Sequence, residues 1–151
     1  MPNWCSNSVS FSGEKENIDR LNAAIDKAIA QESKTNEGQK IHESDIKSGY
    51  FFEIYKDEYG IHYETKWCPN IEDVAMVCKQ FKVSAEHYYS EEGMEIYGIT
   101  KYNTDGIHET NDVPQDFLDE IEYNEDSDTY TFRGEEYENK DYIIEEFYFN
   151  I

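Results

Sequence analysis

Basic side chains are scarce in this chain: 13 Lys and Arg stand against 34 Asp and Glu over 151 residues, a formal net charge of −21. A surface with that balance repels a polyanion and cannot gain from displacing its counterions, which argues against nucleic acid as a direct ligand. Long apolar runs are missing too. No stretch approaches the roughly 20 apolar residues that a membrane helix needs. The opening Met1-Pro2-Asn3-Trp4 lacks the basic segment and apolar stretch of a secretory signal. A cytoplasmic protein without a membrane partner is the expectation. Cysteine is limited to Cys5, Cys68 and Cys78, an odd number without a C-x-x-C spacing. Free thiols are therefore expected, in place of a disulfide framework, a zinc site or an iron–sulfur cluster. What is plentiful is aromatic: 13 Tyr, 8 Phe and 2 Trp make 15% of the chain, far too many for a disordered acidic tail despite a mean hydropathy of −0.88.

The acid is unevenly spread. Residues 1–50 carry 6 basic and 8 acidic side chains, residues 51–100 carry 4 and 10, and residues 101–151 carry 3 and 16, giving balances of −2, −6 and −13. Along the chain, Val9 and Phe11 alternate with serines as in a half-buried strand, and Gly13 ends it. Ile18, Leu21, Ile25, Ala28 and Ile29 then recur at helical spacing over residues 14–30. Residues 31–48 are polar enough for a mobile loop. Residues 50–55 and 61–67 read as a hairpin around a loop ending at Gly60. Pro69 and Asn70 suit a helix start, with Ile71, Val74, Ala75, Cys78 and Phe81 on one face, so Cys78 is expected in the core. Residues 83–90 and 94–100 make two more strands around Glu91-Glu92-Gly93, with Gly93 available for a positive φ.

The economical architecture is α+β: an antiparallel sheet with two helices on one face, built on a βαββαβ core over residues 1–102. Residues 103–151 form an acidic extension packed on that core, because alone they would bury too little surface. Within it, Phe117, Leu118 and Ile121 suggest a short helix, Tyr130 and Phe132 a strand, and residues 142–149 a final aromatic strand.

The opening heptad Met1-Pro2-Asn3-Trp4-Cys5-Ser6-Asn7 resembles that of the YubB-like family of ferredoxin-like domains. So do Thr65-Lys66-Trp67-Cys68-Pro69, Tyr89-Ser90-Glu91-Glu92-Gly93 and Gly98. Such domains occur in proteins of plasmids, phages and pathogenicity islands. The resemblance implies a ferredoxin-like βαββαβ core and a bacterial host cell, and it implies no particular activity or catalytic residues.

Several residues invite a functional reading. Asn3, Trp4, Asn7, Trp67, Pro69 and Gly93 carry the resemblance. Aromatic faces and amides can bind ligands, but the structural reading is stronger: the tryptophans packing on each other or covering the sheet end, the asparagines bonding a turn. His42, His62, His87, His108 and the cysteines show no catalytic or metal spacing, and 124–128 lacks the Gly and Glu of an EF-hand loop. No enzyme, metal or cofactor is expected. Phe52, Tyr63 or Tyr88 could imitate the base-stacking aromatics of RNA-binding ferredoxin-like modules, but residues 60–67 do not match the basic-aromatic consensus.

Charge remains. A compact chain of this length has a radius of gyration of about 15 Å, hence a diameter of roughly 38 Å. Duplex DNA of that length carries about 22 phosphate charges. Such a protein would be steered onto the basic groove of a host nucleic-acid-handling protein, as an anti-restriction or anti-CRISPR inhibitor. The candidate contacts are Asp116, Asp119, Glu120, Glu122, Glu125, Asp126, Asp128, Glu135, Glu136 and Glu138, with Tyr130 and Tyr137 as aromatic anchors. This requires the carboxylates to stand on a rigid, outward ridge. The alternatives are a structural accessory domain, with a homodimer possible through strand edges, and a small-ligand sponge, whose pocket could take nucleotides only if it were locally basic, for example around Lys66, Lys79 and Lys82.

Overall fold

The computed structural model describes residues 3–42 and 50–150. Met1 and Pro2 of the opening motif and the last part of the expected 31–48 loop lie outside them. The chain divides into two compact units, one running up to Asn111 and one from Asp112. A strand beyond residue 102 joins the first sheet.

The first unit runs β1 (Trp4–Ser12), α1 (Lys15–Thr35), β2 (Phe52–Asp57), β3 (Gly60–Lys66), α2 (Ile71–Phe81), β4 (Ser84–Glu91), β5 (Ile96–Tyr102) and β6 (His108–Asp112). The strands form one sheet in the order β2-β3-β1-β4-β5-β6. The β1–β3, β1–β4, β2–β3 and β4–β5 pairs are antiparallel. It is an α+β architecture with an antiparallel sheet. Period-two alternation sends Val9, Ile61, Tyr63 and Ala85 into one apolar cluster with Leu21 and Ile25 of α1 and Val74 and Cys78 of α2. Ser6, Ser8, His62, Glu64, Phe52 and Lys66 fall on the opposite face, as the register requires.

α1 outlasts its apolar stripe because Gln31, Glu32 and Lys34 are good helix formers; Asn36 then ends it in the left-handed region, its N–H on the Glu32 carbonyl. β6 has no sequence signature, since all five of its residues are exposed and none alternates. At the β4–β5 turn the positive φ belongs to Glu95, at 53°, and not to Gly93 as expected. The turn is closed instead by the Glu91 carboxylate, which accepts the N–H groups of Gly93 and Met94 at 2.7 Å each. The β2–β3 turn does need its glycine. Gly60 has φ 145°, and a Cβ there would lie 2.1 Å from the Val9 carbonyl oxygen.

The cysteines are free, with Cys5 and Cys78 buried and Cys68 exposed. Burial pushes the Cys5 and Cys78 thiols up to about 12.

The second unit comprises α3 (Gln115–Leu118), β7 (Glu122–Asn124), β8 (Thr129–Phe132), β9 (Glu135–Tyr137) and α4 (Lys140–Ile143), which continues as a π-helical turn over Ile144–Phe149. The strands make an antiparallel sheet in chain order. The expected final strand is thus helical. Asn139 caps it by accepting the N–H groups of Asp141 and Tyr142, and Ile143/Phe147 and Ile144/Tyr148 recur at helical spacing. Phe132 meets Phe117 and Phe147 at ring separations of 5.3 and 5.2 Å, and Tyr148 joins Phe117 at 5.1 Å. Large rings supply much of the apolar surface that so short a segment has to bury. Among the described residues, no helix is long and apolar enough to cross a membrane.

Candidate functional site

The ten carboxylates singled out in residues 116–138 are all exposed. Asp116 lies on α3, Glu122 on β7, Glu135 and Glu136 on β9, and Glu125, Asp126 and Asp128 between β7 and β8. Several are held in place. Asp128 accepts the Tyr123 hydroxyl at 2.6 Å, Glu136 accepts the Thr129 hydroxyl at 2.7 Å, and Glu120 pairs with Arg133 at 3.1 Å. The pleat divides them, however. Glu122, Thr131 and Glu136 share one face, while Glu135 sits opposite Phe132 on the other. Tyr123, Tyr130 and Tyr137 form a row on that second face. There Tyr137 meets Tyr142 and Phe147 at 5.9 and 5.8 Å, so it is a half-buried support of its own unit. Tyr130 is likewise half-buried, 5.2 Å from Tyr123. The acid stands outward on hydrogen-bonded backbone but on both faces of a small sheet, so it does not form the single ridge expected of it; the pleat, which sends successive side chains to opposite faces, is the reason.

The residues of the opening and middle motifs meet at one end of the first sheet. The Asn3 carbonyl accepts the Trp67 N–H at 2.7 Å, and a Cβ on Gly93 would lie 2.7 Å from Asn3 Nδ2. Gly93 is there for close approach. Pro69 precedes Asn70, the residue before α2. Asn7 is buried and central to a polar chain that the sequence spacing could not reveal. The Tyr102 hydroxyl donates to His87 Nδ1 at 2.9 Å, His87 Nε2–H donates to Asn7 Oδ1 at 2.7 Å, and Asn7 Nδ2 donates to the Thr65 hydroxyl at 2.9 Å. The Thr65 hydroxyl donates in turn to the Cys68 carbonyl at 2.7 Å. The Asn7 oxygen can only accept, which places the proton on Nε2, and burial keeps the ring neutral, so Nδ1 is left as the acceptor for the Tyr102 hydroxyl. Burial drives its pKa down to about 3. His42 and Asp73 form a second buried link at 2.7 Å, with burial raising the Asp73 pKa.

The tryptophans behave differently. Trp4 and Trp67 are 46% and 49% exposed, so neither is a core residue, and Trp4 meets the edge of Phe52 at 5.3 Å. Tyr63, one of the possible base-stacking aromatics, is turned into the core.

Trp4 and Phe52 wall a cleft of about 900 Å³ that runs along the β2 edge to the end of α1. Ser6, Glu64 and Lys66 line it from the sheet face opposite the apolar cluster, Ile29, Glu32, Ser33 and Asn36 from α1, and Glu53 and Ile54 from β2. Glu32 is committed: its carboxylate accepts the Glu53 and Ile54 N–H groups at 2.6 and 2.9 Å, where β2 bulges and Glu53 takes φ 52°. This capping blunts a sheet edge that would otherwise offer bare amides. Lys66 sits 5.2 Å over the Phe52 ring. Glu64 accepts the Ser6 hydroxyl at 3.2 Å, and partial burial raises its pKa, opposed by that hydrogen bond. Lys79 and Lys82 lie at the end of α2, just before Ser84, which pairs with Ser12 at the far end of β1 from the Trp4–Lys66 pair, and Lys82 is 3.8 Å from Asp105.

Beside the cleft the Ser8 hydroxyl donates to His62 Nδ1 at 2.8 Å, and His62 Nε2–H donates to Asp57 Oδ2 at 2.9 Å. The order is that of nucleophile, base and orienter. The surroundings do not serve that chemistry. Ser8 lies on a central strand paired on both sides, and Glu53 and Glu64 line the adjoining 140 Å³ hollow where an oxyanion would need donors. The relay instead steadies the β2–β3 turn: Asp57 Oδ1 also accepts the Tyr59 and Gly60 amides, and the His62 bond foremost holds the Asp57 carboxyl below its usual range.

No curated protein and no solved structure matches the chain. One family does, described as the ferredoxin-like domain in Api92-like protein, over residues 29–133. The match takes in Trp67, Pro69 and Gly93 and stops short of β1 and of Glu135, Glu136, Tyr137 and Glu138. Covering more than half of the chain and both its α2 helix and its principal sheet strands β2 to β5, it shows that this protein belongs to the family of ferredoxin-like domains found in Api92-like proteins.

Proposed function

We propose that the protein is a non-enzymatic, acidic interaction protein of a mobile element. It has a YubB-like ferredoxin core of βαββαβ order, formed by β1 to β4 with α1 and α2, and an acidic extension. Its partner is a basic surface on a host nucleic-acid-handling protein, such as a restriction or CRISPR effector, which it occupies in place of nucleic acid. The observation that carries this reading is the ordered outward display of acid in the second unit. From Asp112 onward two basic side chains stand against fourteen acidic ones, a balance of −12, and the ten candidate carboxylates of residues 116–138 are exposed on or between hydrogen-bonded strands and helices. Charge displayed on fixed backbone steers an encounter with little ordering cost.

A pull-down from host lysate tests it, comparing the native chain with a variant carrying Glu122→Gln, Glu125→Gln, Asp126→Asn and Asp128→Asn. Retention of a nucleic-acid-binding protein at about 50 mM salt, with loss at 1 M where the Debye length is about 3 Å, is expected. The neutralised variant should lose it at low salt as well. Equal retention under all conditions would overturn the reading.

A further inference from the structure

We infer that the cleft walled by Trp4 and Phe52 is the seat for an arginine side chain of a basic polypeptide partner. The inference deepens the reading above and rests on it for the kind of partner, but it concerns a different unit of the chain and a different set of residues.

Four observations converge. The cleft is large enough, at about 900 Å³, for a long side chain and part of its backbone. Its wall is aromatic, with Trp4 half exposed and meeting Phe52 edge-on, so the ring surface is open to a ligand. The chain already places one cation there, Lys66 over the Phe52 ring at 5.2 Å, so the half-exposed Trp4 ring is the aromatic surface left for a ligand's cation. The charge is complementary: among the described lining residues Glu32, Glu53 and Glu64 stand against Lys66, and with Glu32 committed to backbone amides, Glu53 and Glu64 are the remaining carboxylates of the lining. Glu64 is partly withdrawn from water with the Ser6 hydroxyl as its hydrogen-bond donor. A cationic donor would give that carboxylate a charge-assisted hydrogen bond, stronger than the neutral one from the hydroxyl.

Arginine fits better than lysine. A planar guanidinium can lie on an aromatic face while directing parallel N–H groups at a carboxylate, whereas an ammonium is a compact, strongly hydrated point charge. An anionic ligand is disfavoured by the same lining.

The test uses the full chain and a nonapeptide of Gly and Ser carrying three Arg, with a matched Lys peptide and spermidine as comparison probes. In a Trp67→Phe background Trp4 is the sole tryptophan, so its fluorescence reads the cleft directly. The Arg peptide should change Trp4 emission and shift the NMR resonances of Phe52 and Glu64, and the Lys peptide should bind several-fold more weakly. Glu64→Gln and, separately, Trp4→Phe should each weaken the Arg peptide by about tenfold. The four-carboxylate variant of the second unit should bind it with native affinity. Unchanged affinity in both cleft variants, shifts confined to the second unit, or spermidine binding as tightly as the Arg peptide would overturn the inference. The two proposals fail separately: host-partner capture that survives Glu64→Gln but not neutralisation of the second unit removes only this one, and the reverse pattern removes only the earlier reading.

Discussion

Acidification should unsettle this acidic protein through a histidine. His87 is fully buried, accepts from Tyr102, donates to Asn7, and has a pKa driven down from 6.5 to about 3 by burial. Between those two values the unfolded chain binds a proton that the folded chain refuses. The contribution is therefore fully present above pH 6.5 and is lost as pH falls below it towards 3. At pH 5 the unfolded imidazole gains about 2 kcal/mol from protonation, against almost nothing at pH 7.5. Other groups work the opposite way: Glu64, Asp73 and Glu145 have raised carboxyl pKa values and take up protons more readily in the folded state. Neutralising part of the net charge of −21 also relieves repulsion. A comparison with His87→Gln cancels these shared contributions. Urea denaturation at pH 7.5 and pH 5 should show the native chain's advantage over that variant shrinking by about 2 kcal/mol. The His87 imidazole resonances should stay those of the neutral ring down to about pH 4. A titration midpoint above 6, or an advantage independent of pH, would refute the network as drawn.

Gly60→Ala should cost about 3 kcal/mol or more, or prevent folding, since the new methyl would overlap the Val9 carbonyl at a positive φ; a native melting temperature would contradict that geometry. Glu32→Ala should lower stability by about 1–3 kcal/mol and speed hydrogen exchange at the Glu53 and Ile54 amides, and unchanged exchange there would show that the edge is protected some other way. Asn7→Ala leaves His87 Nε2–H and the Thr65 hydroxyl without their amide partner and should cost about 2 kcal/mol in denaturation, while capture of a host partner stays as in the native chain. Loss of capture by a still-folded variant would instead give Asn7 a role at the interface.

The regular parts of the first unit were legible because two periods alternate cleanly. The serine-interleaved β1, the Leu21–Ile25–Ala28 stripe and the Val74–Cys78–Phe81 stripe each bury one side. Where burial is absent the pattern fails, as in β6, whose five residues are all exposed. The aromatic end of the chain misled because Tyr and Phe favour strands, although Asn139 followed by pairs four residues apart is a helix signature. The candidate site divides along the same line. Exposed carboxylates can be counted from sequence, but how the pleat shares them between two faces requires the register. The Trp4 cleft brings β1, α1, β2 and β3 together across some sixty residues, and no spacing rule anticipates it.

The unequal exposure of the three thiols gives the native chain a chemical handle. Two sulfurs are withheld from reagents by burial and by scarcity of thiolate, which leaves Cys68, beside Trp67 and at the end of β3, as the residue open to alkylation. A maleimide at neutral pH should add once per folded molecule and three times after denaturation, as mass spectrometry would read. A dye or photo-crosslinker can thus be installed near the tryptophan-bearing rim without altering a single codon.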